Sequence, residues 1–66
     1  MKNTLKVSRA VKNVTQGELA EAIGVSRQTI NSIESGKYVP STVLALKIAR
    51  YFDASVHEIF ELEIDD

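Results

Sequence analysis

Between Thr15 and Ser35 the chain reads TQGELAEAIGVSRQTINSIES, two short helical patterns hinged at Gly24. Leu19, Ala20 and Ile23 share one face of the first pattern, at the spacing of an α-helix. Gly24 follows its last helical residue, where a left-handed C-terminal cap favours glycine. Ser26 opens the second pattern as an N-cap. At about 100° per residue, Ile30 and Ile33 point one way. Gln28, Ser32 and Ser35 point the opposite way, flanked by Arg27, Thr29 and Asn31. The second helix therefore packs on its isoleucines and turns uncharged polar side chains and one arginine outward.

Sixty-six residues make one small domain, spanning 1–66 and close to the lower limit for independent folding. There is no cysteine, so neither a disulfide nor a thiolate metal site supports the core. Stability must come from packed apolar side chains, with oligomerisation as the usual supplement. No apolar run approaches the ~20 residues of a membrane span, and the start of the chain lacks the order of a signal peptide. The expected setting is the cytoplasm. The net charge of −1 hides an asymmetry. Residues 1–50 hold all eight Lys and Arg against Glu18, Glu21 and Glu34, a net of +5. Residues 51–66 hold six acids and no base, a net of −6. A basic body with an acidic end can still present a positive face to phosphates. The acidic segment 61–66 is at the least a solubilising tail.

Five helices fit the pattern, an all-α chain with room for a short terminal β-strand pair. The first spans about Thr4–Asn13, with Leu5 and Val11 toward the core and Lys6, Arg9 and Lys12 on the polar side. Thr15-Gln16-Gly17-Glu18 reads as a capping box, with Val14 placed to staple it. Gly36 ends the third helix, Pro40 sets an extended turn, and Ser41 caps the next helix. The fourth helix, about Thr42–Phe52, is apolar nearly all round. Leu44, Ala45, Ile48, Tyr51 and Phe52 form one side, Leu46 and Ala49 the other, and Val43, Lys47 and Arg50 a solvent arc. Ser55-Val56-His57-Glu58 reads as a second capping box, opening a fifth helix through Phe60. Residues 61–65 alternate polar and apolar, a strand period that can pair with Lys2-Asn3-Thr4.

Two helices joined by a short glycine-containing turn form a helix-turn-helix, whose second helix presents its outer side to the DNA major groove. Glutamine can bond adenine in bidentate fashion, and arginine guanine, while Ser, Thr and Asn are adaptable. Arg27-Gln28-Thr29 fills the first turn, and helix amide ends near Gln16 and Ser26 suit phosphates. The string from Thr15-Gln16 through Leu19-Ala20, Gly24-Val25-Ser26, Gln28, Ile30, Ile33-Glu34 and Gly36 to Pro40 resembles the Cro/phage-repressor (XRE-type) helix-turn-helix family, in its compact single-domain form. The likeness covers essentially the whole chain. It implies a five-helix lambda-repressor-like DNA-binding domain, with its helix-turn-helix at 15–35.

The resemblance implies roles for matching positions. Arg27, Gln28 and Ser32 stand at base-reading places, with Thr29 on their flank. Gln16, Asn31, Lys37 and Tyr38 stand where the family touches the DNA backbone, and the Ser26 helix start joins them. Arg9 and Glu34 match an ion pair that ties the first helix to the third. Ser8 departs from the pattern, where the family places a large aliphatic residue; Val7 or Val11 is expected to compensate. Plainer readings stand beside these. Gln16 can make only local bonds at a helix start, Arg27 can be solvated, the Thr29 methyl can pack inward, and Tyr38 can lie over the core. Lys6 and Lys12 read as solvated.

Catalysis finds no support: the chain has no cysteine, no triad around the lone His57 and no glycine-rich phosphate loop. No metal, cofactor or effector pocket is implied. The expected function is a transcriptional regulator, a repressor binding double-stranded DNA at a palindromic operator as a homodimer. With two helices committed to DNA, the dimer patch is expected in the last third, at Tyr51, Val56, Ile59, Leu62 and Ile64. The competing reading is an antitoxin or other protein-interaction module on the same fold, with Leu62 and Ile64 adding a strand to a partner.

Overall fold

Leu5, Leu19, Ile30, Ile33 and Ile48 lose essentially all their exposure, and they come from four different helices. Around them the computed structural model, which describes residues 1–66, builds β1 (Lys2–Asn3), α1 (Leu5–Lys12), α2 (Gln16–Ile23), α3 (Arg27–Glu34), α4 (Thr42–Tyr51), α5 (Val56–Ile59) and β2 (Phe60–Glu61). The five helices and a two-stranded ribbon match the expected architecture. Ala20, Ile23, Leu44, Ala49, Ile59 and Phe60 complete one continuous core. No helix is long and apolar enough to cross a membrane.

The helix ends follow their local chemistry. Thr15 and Glu18 form the full capping box, with each side chain bonded to the other's backbone amide at 3.0 and 2.9 Å. Ser26 and Ser41 each accept from the amide three residues on, at 3.2 Å. Gly24 adopts φ 80°, and its amide closes on the Ala20 carbonyl at 2.9 Å. Asn13 (φ 60°) and Asp53 (φ 52°) take the same left-handed conformation beyond α1 and α4. Asn and Asp tolerate it better than most side chains.

Four expectations fail, each for a geometric reason. Val11 is 83% exposed and Val7 62%, so neither fills the place left by Ser8. On a helix that buries Leu5 and turns Arg9 inward, residues 7 and 11 fall on the far side. Leu46 is 55% exposed, because it lies about half a turn from the buried Leu44 and Ile48. The Ser55 hydroxyl makes no capping bond. The single turn of α5 instead closes through its backbone, with the Glu58 amide donating to the Ser55 carbonyl at 3.1 Å. The strand begins earlier than residue 61. Phe60 is required in the core at 5% exposure and pairs with Asn3, as Glu61 does with Lys2, antiparallel. Beyond Glu61 the chain leaves the ladder, and the Glu63 amide turns back to Asp66 Oδ2 at 2.7 Å.

The two caps give contrasting expectations in urea unfolding. Thr15→Ala removes a bonded hydroxyl and should cost ~0.5–2 kcal/mol. Ser55→Ala removes an unbonded one and should fall within about ±0.5 kcal/mol. Equal costs would contradict the assignment of one box and not the other.

Candidate nucleic-acid interface

The outer face of α3 is set from its two ends. At its start, Ser26 Oγ accepts from the Thr29 amide and lies 3.0 Å from Thr29 Oγ1. The Thr29 hydroxyl is thus drawn into the cap, and the residue is half-buried. At its end, Gly36 (φ 78°) turns the chain back, so that the amides of Lys37 and Tyr38 both donate to the Ser32 carbonyl at 2.9 and 3.2 Å. This folds the two loop residues against the C-terminal turn of the helix. Between these ends Ile30 and Ile33 are buried, at 0% and 1% exposure. Arg27, Gln28 and Asn31 are exposed and Ser32 half-buried. The structure therefore brings Arg27, Gln28 and Ser32 onto one accessible surface, with Lys37 and Tyr38 at one end and Ser26 at the other.

A polar cluster behind that surface holds α3 in place. The Arg9 guanidinium, from α1, meets the Glu34 carboxylate through two of its three nitrogens, Nε to Oε2 at 2.5 Å and Nη2 to Oε1 at 3.0 Å. Arg9 also reaches the Val14 carbonyl at 3.1 Å, ahead of α2. The two side chains of the pair are only 14% and 8% exposed. Gln16, the first residue of α2, donates to Glu34 Oε1 at 3.0 Å and to Asn31 Oδ1 at 3.3 Å. The side-chain amide expected at a phosphate is therefore bonded within the protein, to two residues of α3. Burial pushes the Glu34 carboxyl up. Hydrogen bonds from Arg9 and Gln16, then the charges of Arg9 and Lys6, outweigh that and hold it below its ordinary value. The Arg9 guanidinium is raised by its bond to Glu34.

Asn3 is a structural contact that the sequence reading passed over. Its Oδ1 accepts from the Leu5 amide at 3.1 Å and its Nδ2 donates to the Ile33 carbonyl at 2.9 Å, tying the first strand to the end of α3. The signal was present: an Asn two residues before a helix commonly bonds its own downstream amide.

The five residues expected at a dimer contact are not equivalent. Ile59 is 3% exposed and belongs to the core, so it is unavailable to a partner. Tyr51 is half-buried, edge-on to Phe52 at 5.0 Å, with the Lys12 ammonium 4.9 Å from its ring. Val56 is half-buried against the core. Leu62 and Ile64 are 76% and 106% exposed. No group of three or more His, Cys, Asp or Glu side chains is arranged to hold a metal ion.

The cluster gives two measurable outcomes. Arg9→Ala leaves a nearly buried carboxylate with one neutral partner and should cost about 1–3 kcal/mol. For Glu34, a carboxyl held below its unfolded value contributes stability above that value, and loses it as pH falls through the folded one. The unfolding free energy should therefore drop as pH falls below ~4.3, and Glu34→Gln should flatten that acid limb. An unchanged limb in the variant would contradict the role of Glu34.

Comparisons with known proteins agree with this geometry. A helix-turn-helix family model matches residues 5–59. An HTH-type transcriptional regulator of Methanocaldococcus jannaschii is 54% identical over 66 residues, covering 100% of both chains. The HTH-type transcriptional regulator YgzD of Bacillus subtilis is 48% identical over 63 residues, covering 96% of each. Among solved structures, the restriction-modification controller protein of Aeromonas hydrophila superposes with a TM-score of 0.78 at 32% identity, over 85% of each chain. With α2, a glycine turn and an outward-facing α3 on this match, the chain belongs to the XRE-type helix-turn-helix family and is a DNA-binding transcriptional regulator.

Proposed function

We propose that this regulator is a repressor that binds a palindromic operator as a homodimer, acting in the cytoplasm. The observation that carries the reading is the exposed first turn of α3. Arg27 and Gln28 project from a helix fixed by the Ser26 cap at one end and the Glu34 cluster at the other. Such a turn enters the major groove on a helix already fixed in place, so little helix ordering is left to the moment of binding. Arg27, Gln28, Ser32 and Thr29 are read as base-facing, and Thr29 presents chiefly its methyl, since its hydroxyl is engaged by Ser26. Ser26, Asn31, Lys37 and Tyr38 flank them as backbone contacts. Gln16 joins these when its amide leaves Glu34 for a phosphate oxygen.

One module of this size buries too little surface for tight selective binding, which makes a dimer the physical expectation. Two α3 helices in successive major grooves lie about 34 Å apart, or ~10 bp, and the operator then repeats its half-site with inverted symmetry. The exposed Leu62 and Ile64 favour a second reading, in which the fold serves mainly to hold a toxin or other protein. That reading expects complex formation to survive loss of Arg27 and Gln28.

Gel-shift titration against the promoter region of the protein's own gene tests the repressor reading. A preference over random DNA at physiological salt is expected, and its absence would overturn the proposal. Gln28→Ala should cost ~1–3 kcal/mol and relax selectivity at a single base position. Lys37→Ala should weaken all sequences alike and lower the salt slope by about one unit. A uniform loss for Gln28→Ala would show that it touches the backbone and reads no base.

A further inference from the structure

Two surface features lack a partner within the chain. The first is an apolar groove beside α4, lined by Met1, Val39, Pro40, Leu46, Val56 and Phe60. Val39 and Leu46 there are 58% and 55% exposed, and Val43 beside them is 64% exposed. The groove is bordered by Lys47 and Arg50, which line the adjoining surface with Val43 and Leu46 and have no acidic partner in the chain. The second is the segment Glu61-Leu62-Glu63-Ile64-Asp65, where two apolar side chains project among acids. Ile64 is as exposed as a side chain can be, and Leu62 nearly so.

These features are complementary in polarity and in charge: an apolar trough beside bases, and apolar knobs between acids. They are also neighbours. Met1 lines the groove, while its amino group bonds Glu63 Oε1 at 3.0 Å and Asp66 Oδ1 at 3.1 Å. Those contacts pin the tail beside the groove and keep its knobs out of it. A groove and a knob adjacent on one molecule meet reciprocally when a two-fold axis passes between them, the requirement for a closed isologous contact. Taking the homodimer reading above as given, we infer that the regulator dimerises by reciprocal exchange, Leu62 and Ile64 of each copy entering the Val39–Leu46 groove of the other, with Asp65, the tail acid without a partner in its own chain, against Lys47 and Arg50. The acidic end thereby becomes part of the assembly.

Sedimentation equilibrium of the full chain tests this. Leu46→Glu and Ile64→Asp alter exposed side chains, and circular dichroism should show both folded. Each should raise the dimer dissociation constant about tenfold or more, as loss of a buried apolar anchor does. Since the chain has no cysteine, L46C and I64C protein can be mixed and oxidised. The mixture should give a 46–64 disulfide between chains, in preference to 46–46 or 64–64. A wild-type dimer untouched by both charged variants, or cross-linked only 46–46 or 64–64, overturns the exchange and leaves the homodimer reading standing. A wild type that stays monomeric at millimolar concentration overturns both.

Discussion

The Glu34 carboxylate is the point on which the arrangement of three helices converges. It sits on α3, takes two hydrogen bonds from Arg9 of α1 and a third from Gln16 of α2. An ion so nearly buried is costly without partners and tolerable with them. The apolar core supplies most of the favourable free energy, but burial is non-directional. Ile30 and Ile33 would stay buried through a modest rotation of α3 about its axis. The bidentate pair would not survive that rotation, because a guanidinium and a carboxylate meet in a fixed planar geometry. The pair thus sets which side of α3 looks outward, and so where Arg27 and Gln28 point.

The same cluster links the scaffold to the reading surface. Gln16 and Asn31 bond each other as well as belonging to the hub. Under the proposed phosphate role of Gln16, an arriving phosphate would compete with Glu34 and Asn31 for one side-chain amide. Such an exchange would trade hydrogen bonds without creating new ones, which would keep its net gain modest. Under the proposed reading, sequence-independent affinity therefore rests more on charge, on Lys37 and the basic body of the molecule, than on this exchange.

Much of the fold was legible because its signals are local. Thr15 with Glu18, Gly24, Ser26, Gly36 and Ser41 each declare a helix end through their own backbone bonds. The Arg9–Glu34 pair was legible from the family resemblance, with support from the place of Glu34 toward the inner edge of its helix. What stayed hidden depended on which face the core would claim. Val11 and Leu46 are apolar and at helical spacing, yet each helix presents only part of its circumference to so small a core. Ser55 carried the letters of a capping box without the length of helix that makes the box useful. Ile59 looked like a surplus apolar residue because the early start of β2, which draws Phe60 inward with it, was not visible. Arg27, Gln28, Thr29 and Ser32 lie on α3 with Ile30 and Ile33 buried, as the helical spacing predicts, but the internal engagement of Gln16 needed the third dimension.

The most direct test of the account is a chemical-shift map of the labelled protein titrated with its operator. The account expects the largest changes at Arg27, Gln28 and the Lys37–Tyr38 loop. It also expects displacement of the Gln16 side-chain amide resonances as that group leaves Glu34, with the buried Ile30 and Ile33 little altered. Changes confined to α4, α5 and the acidic segment, with α3 and Gln16 unmoved, would contradict it.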